Sequence, residues 1–375
     1  MSSDVILFIV VGTALAFDFT NGFHDTANVV ATSISTGAAR PSVAIGIASA
    51  LNFLGAFISI SVAATVANDV VNSAVITPTI VFAGLIGAIA WNLITWSFGL
   101  PSSSSHALFG GLIGATLVAG GTGAVHVHTV VVKVLVPAVI SPVIAGLIAL
   151  TATFLVYRMT AAADAGKVRR AFRAGQMLSA STIALAHGAN DAQKTMGVIT
   201  LTLITAGILA PGSGPPFWVV LCAGLAIGLG TYMGGWRIIR TLGRRISDIE
   251  TPQGFTADTT SASIIMTSTH FGIPLSTTQV CSGAIFGAGA GRRSGSVHWS
   301  VAGRMVVAWA VTLPAAAVVG AVTSYVAATG PVGVVAVTAG AIGCGLAIYL
   351  ASRRNPVTAL NVNDVQAASP ARAVA

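Results

Sequence analysis

The chain of 375 residues carries 18 Lys and Arg against 10 Asp and Glu, is 54% hydrophobic and only 7% charged, and has a mean hydropathy of +0.87. Soluble globular chains are roughly 25% charged, so this composition excludes soluble enzymes and nucleic-acid-binding proteins and leaves an all-α integral membrane protein. The net charge of +8 sits in short basic clusters between apolar runs, and it therefore reports orientation across a bilayer before it reports an anionic partner.

About 20 apolar residues cross a bilayer as a helix, and apolar runs predict helices at 5–36, 41–66, 78–99, 103–119, 129–157, 174–210, 216–236, 256–272, 276–290, 299–326 and 332–351. The first lacks a basic leader and a small-residue cleavage site, so it reads as a span and not a removable signal. Two runs are too long for one crossing, and each contains a polar interruption, NGFHDTAN at 21–28 and HGANDAQK at 187–194. Both are expected to be broken helices. Short runs come in pairs joined by PSSSSH at 101–106 and PLSTTQ at 274–279. Each pair is expected to form a re-entrant hairpin, because irregular backbone at membrane depth is tolerated only beside protein or a water-filled cavity. Cys222, Cys281 and Cys344 lie in apolar runs without metal or redox spacing and read as small core residues. From Asn355 to Ala375 the chain is polar and aperiodic, and a disordered tail is expected.

Basic residues cluster at Arg40, from Arg158 to Arg173, from Arg237 to Arg245, at Arg292 and Arg293, and at Arg353 and Arg354, whereas 67–77, 120–128, 211–215 and 327–331 have none. Counting the hairpins as non-crossing puts every cluster in the cytoplasm, with seven full spans, the amino terminus outside and the carboxyl terminus inside. The order broken helix, span, hairpin, span then occurs twice from opposite sides, which is an inverted-topology repeat. Its parts are a first repeat over 1–157, a basic cytoplasmic linker at 158–173, a second repeat over 174–326, and an extra span with a short tail over 327–375. Asp25 precedes Pro101 by 76 residues and Asp191 precedes Pro274 by 83, so the two halves match motif for motif.

An ionisable group inside a span is costly to bury and is a functional candidate by default. Asp25 and Asp191 at the interruptions, with Asn28 one turn after Asp25, suit a coupling cation, either Na⁺ or a proton on the carboxylate. The alternative is an interhelical hydrogen bond. Ser103, Ser104, Ser105, Ser276, Thr277 and Thr278 each lie just after a proline at a helix start, where free N–H groups and the dipole attract an oxyanion. Simple capping is the competing reading. Lys194 is either a salt-bridge partner of Asp191 or a fixed cation for an anion's oxygen. Asp258 is either an ordinary N-terminal carboxylate or a gate or proton residue. His24, His106 and His187 have no ligand spacing and read as packing residues, so no protein-bound metal site is expected.

These motifs resemble the inorganic phosphate transporter (PiT) family, whose duplicated signature is similar to NGFHDTANVVAT and HGANDAQKTMG and whose hairpin motifs are similar to GLPSSSSHALFGG and GIPLSTTQVCSG. The likeness runs from about Phe17 to Gly289. It implies secondary import of inorganic phosphate across a bacterial inner membrane. Asp25, Asn28, Asn190 and Asp191 would then lie in the ion region, and the two Ser/Thr tips would hold the anion. Three departures stand out: Lys194 replaces the symmetric partner of Asn28, Gln279 stands where the second tip often has histidine, and Asn52 stands where eukaryotic relatives have glutamate. The AQK ending resembles bacterial members thought to carry metal–phosphate complexes with protons, which turns the expected coupling from Na⁺ toward H⁺ and admits a co-transported divalent metal. No cofactor or nucleic acid is implied beside phosphate and the lipid bilayer; a homodimer is allowed. Sulfate is the alternative oxyanion, although phosphate near neutral pH keeps a P–OH donor that the acidic side chains or Gln279 can accept. A hydrolase built on Ser104 or Ser105 with His106 is a remote alternative, because adjacent residues on one helix are poorly placed as nucleophile and base.

Overall fold

The computed structural model describes residues 3–68, 75–292 and 297–364, and their regular structure is helical apart from one isolated bridge between Ser247 and Val297. The first helix, α1 (Ser3–Ser35), runs unbroken through the NGFHDTAN segment. The counterpart HGANDAQK lies inside an equally continuous α8 (Ala165–Thr205). The two expected breaks are therefore absent, and sequence chemistry explains why. Neither segment contains proline, and the polar side chains are satisfied sideways by neighbouring helices, leaving the backbone ladder closed. Thr26 donates to the carbonyl of Gly22 one turn back at 2.6 Å. The glycines serve close approach: a methyl group on Gly22 would overlap the Ile227 carbonyl oxygen of α9, and one on Gly188 would overlap that of Asn52 in α2.

Chain breaks occur one element later in each half. The run expected as a span at 41–66 is split into α2 (Pro41–Gly55) and α3 (Ser61–Asn68). Gln193 of α8 accepts from the free amides of Val62 at 2.8 Å and Ala63 at 3.3 Å, so a side chain completes the α3 start. In the second half α9 (Phe217–Met233) and α10 (Trp236–Arg240), which continues as a π turn to Arg245, meet at a bend of 60° over Gly234 and Gly235. Helix α8 also begins at Ala165, inside the segment expected as a linker, because Asp164 caps the amide of Lys167 at 2.8 Å and Lys and Arg are good helix formers.

Both expected helix–turn–helix pairs are present, and Pro78–Ser97, expected as one arm of a non-crossing hairpin, is itself long and apolar enough to cross a membrane. The first pair is α4 (Pro78–Ser97) and α5 (Ser104–Gly120), which turn at Gly99 with φ +64. The second is α11 (Thr251–His270) and α12 (Thr277–Ala290), which turn at Gly272 with φ +66, a backbone state that favours glycine. A short α6 (Val127–Val130) and a π turn lead into α7 (Val136–Met159), and α13 (Trp299–Ala327) and α14 (Pro331–Ser352) complete the bundle.

Packing is paired between the halves. Helix α1 lies on α9 as α8 lies on α2; α5 lies on α13 as α12 lies on α7; α1 touches α4 as α8 touches α11. Among the described residues five helices are long and apolar enough to cross a membrane, six counting the bent pair, so the protein is a multi-pass membrane protein. The expected spans at 41–66 and 174–210 are not among them. The former is split, and α8 is too polar, with Lys167, Arg169, Arg170 and Arg173 in its first turns and His187, Asp191 and Lys194 in its buried half. The tail also departs from expectation. Residues 355–364 are ordered against α10, with Val362 buried, and the rest of the expected disorder lies outside the described residues.

Candidate functional site

Two carboxylates on α1 and α8 face the two hairpin tips at the centre of the bundle. Asp25 receives the Ser104 hydroxyl on Oδ2 at 2.8 Å, and Thr277 and Thr278 donate to its two oxygens at 3.4 Å. His24 Nδ1 lies 2.6 Å from Oδ1, while its Nε2 lies 3.2 Å from Thr95. Asp191 receives Lys194 Nζ on Oδ1 at 2.5 Å and Thr277 on Oδ2 at 3.2 Å, with His187 Nε2 at 3.3 Å and the Asn21 amide at 3.5 Å. Thr277 thus spans both acids. Lys194 also donates to Ser105 at 2.6 Å and to the Leu275 carbonyl at 2.8 Å, tying α8 to both tips. All of these side chains are buried.

The tips divide their hydroxyls between two jobs. Ser103 and Ser276 cap their helices, accepting from the amides of His106 at 3.1 Å and Gln279 at 3.4 Å. Ser104, Ser105, Thr277 and Thr278 point at the acids and the lysine. Asn28 joins this centre by donating to Thr278 at 3.0 Å. Asn190 faces away, donating to Thr269 at 2.9 Å, and Asp258 is held two turns along α1 by Thr32 at 2.7 Å. Ser104 is committed to Asp25 and no contact links it to His106, so the hydrolase pairing is not assembled.

Several residues of the site escaped the sequence reasoning. His24 and His187, read as packing residues, contact the two acids directly. Asn52 fixes His187 through Nδ1 at 3.1 Å and donates to Thr231 at 2.8 Å. Asp18, fully buried two turns before Asp25, has no well-formed hydrogen bond on either carboxylate oxygen, although Thr195 and Asn21 lie beside it. Ligand atoms of Asp25, His187 and Asp191 lie within 4.8 Å of one another, a set able to hold a metal ion where none was expected. The lysine on Asp191 would compete with that ion, so the donor set suits a transient cation better than a resident one.

The arrangement presents hydroxyl donors and two helix N-termini to oxyanion chemistry, and carboxylates and imidazoles to cation chemistry, within one buried centre. A family model described as "Phosphate transporter family" matches residues 21–320. The chain is 51% identical over 362 residues to a "Probable low-affinity inorganic phosphate transporter" of Mycobacterium leprae, covering 96% of this chain and 87% of that protein. A protein of the same description from Bacillus subtilis is 41% identical, with 86% and 97% covered. A solved structure titled "The sodium-dependent phosphate transporter" superposes with a TM-score of 0.76 at 25% identity, covering 86% of this chain and 98% of that one.

Proposed function

The chain belongs to the phosphate transporter family, whose members are transporters and not enzymes, and on that premise we propose that it imports inorganic phosphate by proton symport across a bacterial inner membrane. The observation that carries this reading is the sharing of donors at the centre. Ser104, Thr277 and Thr278 give their hydrogens to Asp25 and Asp191. A proton or cation on either acid removes the charge that holds those hydroxyls and releases them to an oxyanion. Phosphate and the coupling ion are thereby bound together, which symport requires.

Lys194 supports the proton over sodium. A built-in cation on Asp191 leaves no charge deficit for Na⁺ in that half of the site. Asp25 has no Lys or Arg beside it among the described residues, and it is the acid we assign to the travelling proton. A metal–phosphate complex as cargo is favoured by one further observation, the convergence of Asp25, His187 and Asp191 on a common point. The paired packing of α1 with α9 and α8 with α2 fits an inverted repeat that rocks about this centre.

Uptake of labelled phosphate into proteoliposomes under separately imposed proton and sodium gradients tests the proposal. Uptake should follow the proton gradient without sodium, and added Mg²⁺ should raise it if the metal complex is the cargo. Strict sodium dependence with indifference to the pH gradient would overturn the coupling assignment, and absence of phosphate uptake under every gradient would overturn the function.

A further inference from the structure

A cavity of about 780 Å³ lies among α7, α12 and α13, and the first turn of each hairpin tip contributes a side chain to it: His106, two residues after Ser104, and Gln279, two residues after Thr277. The rest of the lining is apolar or aromatic, and among the described residues no Asp, Glu, Lys or Arg takes part. The helices that wall the cavity fix its depth. Pro142 and Val143 stand at the middle of the apolar span 127–159, and Leu313 and Pro314 at the middle of 299–327. Lipid tails and not water therefore border the opening.

A mid-bilayer cavity lined by hydrocarbon alone would call only for an acyl chain, but this one has hydrogen-bonding groups left over. Gln279, 3% exposed, has no partner on Oε1, and His106, 5% exposed, has no well-formed bond on Nδ1, although the backbone of Val134 lies beside it. Two prolines add to these. Having no N–H, Pro142 inside α7 leaves the Ala138 carbonyl without its donor one turn on, and Pro314 inside α13 does the same to Ala310. Both alanines line the cavity. Three of these four groups are acceptors, so the missing complement is a donor, and unsatisfied polar groups are costly where no water reaches them. A charged headgroup would meet no counter-charge here. The volume falls within the about 300–1,000 Å³ of pockets for drug-sized ligands, room for one chain and a small head. We propose that the cavity binds an uncharged single-chain lipid of the monoacylglycerol kind, its chain along α7 and α13 and its hydroxyls donating to Gln279 and the two freed carbonyls.

The occupant would touch what holds the tips in place. Trp309, in the wall, donates to the Pro101 carbonyl of the first tip at 3.0 Å. The amides of His106 and Gln279 are the groups that Ser103 and Ser276 cap. The inference uses only the membrane character of the chain and is independent of the proposed cargo and coupling ion.

Photolabelling of the full chain in phosphatidylcholine nanodiscs with a diazirine-tagged monooleoylglycerol tests the site. Labelling should saturate, map to peptides of α7 or α13, and be competed by untagged monooleoylglycerol at concentrations where hexadecane has no effect. Gln279→Leu should weaken it about two- to tenfold, the effect of losing one neutral hydrogen bond. Ala310→Trp, which fills the cavity from an exposed position, should abolish it and keeps the test decisive if the glutamine variant misfolds. Equal competition by hexadecane would mean that bulk acyl chains fill the space, and would overturn the proposal. Labelling unchanged in both variants, or no saturable labelling, would do the same. A dimer in native mass spectrometry whose α7 and α13 peptides escape the probe would give this face to a second copy of the chain and equally overturn it. Failure of the transport proposal reads differently, as absence of phosphate uptake by the unaltered protein.

Discussion

A lysine ammonium has three donors, and Lys194 spends them on Asp191, Ser105 and the Leu275 carbonyl. It can reach an anion only by giving one of them up, and Ser105 is the partner that an oxyanion replaces most readily, since the Ser105 hydroxyl keeps its own bond, donated to the Leu275 carbonyl at 3.2 Å, when the lysine leaves. Lys194→Asn should therefore lower proton-driven phosphate uptake by at least about tenfold, the effect of losing one charged hydrogen bond, and create a response to sodium, because Asp191 then lacks its fixed cation. Uptake unchanged in both gradients would leave the lysine a salt-bridge residue. Asp18 is a different case. A buried carboxylate without a well-formed partner costs several kcal/mol, so Asp18→Asn should raise the melting temperature of the purified protein if the group is merely burdensome. If it relays the proton, the same variant should lose proton-driven accumulation while phosphate exchange at equal pH persists. Asp25 and Asp191 were legible in the sequence because a charge in an apolar run stands out. The same signal was available for Asp18 within ALAFDFTN, but it lay outside the duplicated motif. The contact of His187 with Asp191 is an i,i+4 pair within α8 that the spacing already offered, whereas its contact with Asn52 was not legible because it needs the crossing of α8 with α2.

At the scale of the helix, polar residues in an apolar run have two ways to be satisfied, by opening the backbone or by reaching a neighbouring helix. Sequence alone does not choose between them. In α1 and α8 the neighbours are close enough to win, and glycine makes them close: Gly22 admits the backbone of α9 and Gly188 that of α2. The tips, by contrast, were readable residue by residue, since Gly99 and Gly272 with positive φ and a following proline leave no helical alternative. The breaks at 56–60 and at Gly234 and Gly235 were missed because neither contains a proline or a charge to interrupt the apolar run. Gly188→Val should force α8 from α2 and displace His187 from Asn52, costing about 1–3 kcal/mol or more as overpacking does. Thermal unfolding in detergent should fall by several degrees relative to Gly12→Ala, whose added methyl meets nothing within 4 Å. Equal stability of the two variants would mean that the helices do not touch there.

Across the whole molecule, charge asymmetry and packing bear on the same question from different sides. The packing pairs α1 with α9 and α8 with α2, and α5 with α13 and α12 with α7, as two halves related by an exchange of partners would. Packing cannot say which end faces the cytoplasm, whereas the basic clusters can, because Lys and Arg are retained on that side during insertion. Several of them gather at one end: Arg173 donates to the Ala38 carbonyl, Arg237 and Arg240 hold the tail, and Arg292 pairs with Glu250 at 2.8 Å. That end should be cytoplasmic, and the loops at Gly121 and Ser213 should lie outside. With Cys222 and Cys344 changed to serine, single cysteines at Gly121 and Ser213 should react with an impermeant thiol reagent in intact cells, and one at Arg170 should react only after permeabilisation. The pairing of sites matters as much as their accessibility. If α4 crossed the membrane without returning through α5, Gly121 would lie on the side of Arg40 and be protected, and Arg170, one α7 crossing further on, would become accessible. Labelling at Arg170 in sealed cells, or protection at Gly121, would overturn the expectation that α4 and α5 re-enter from one side, and with it the proposed inverted repeat.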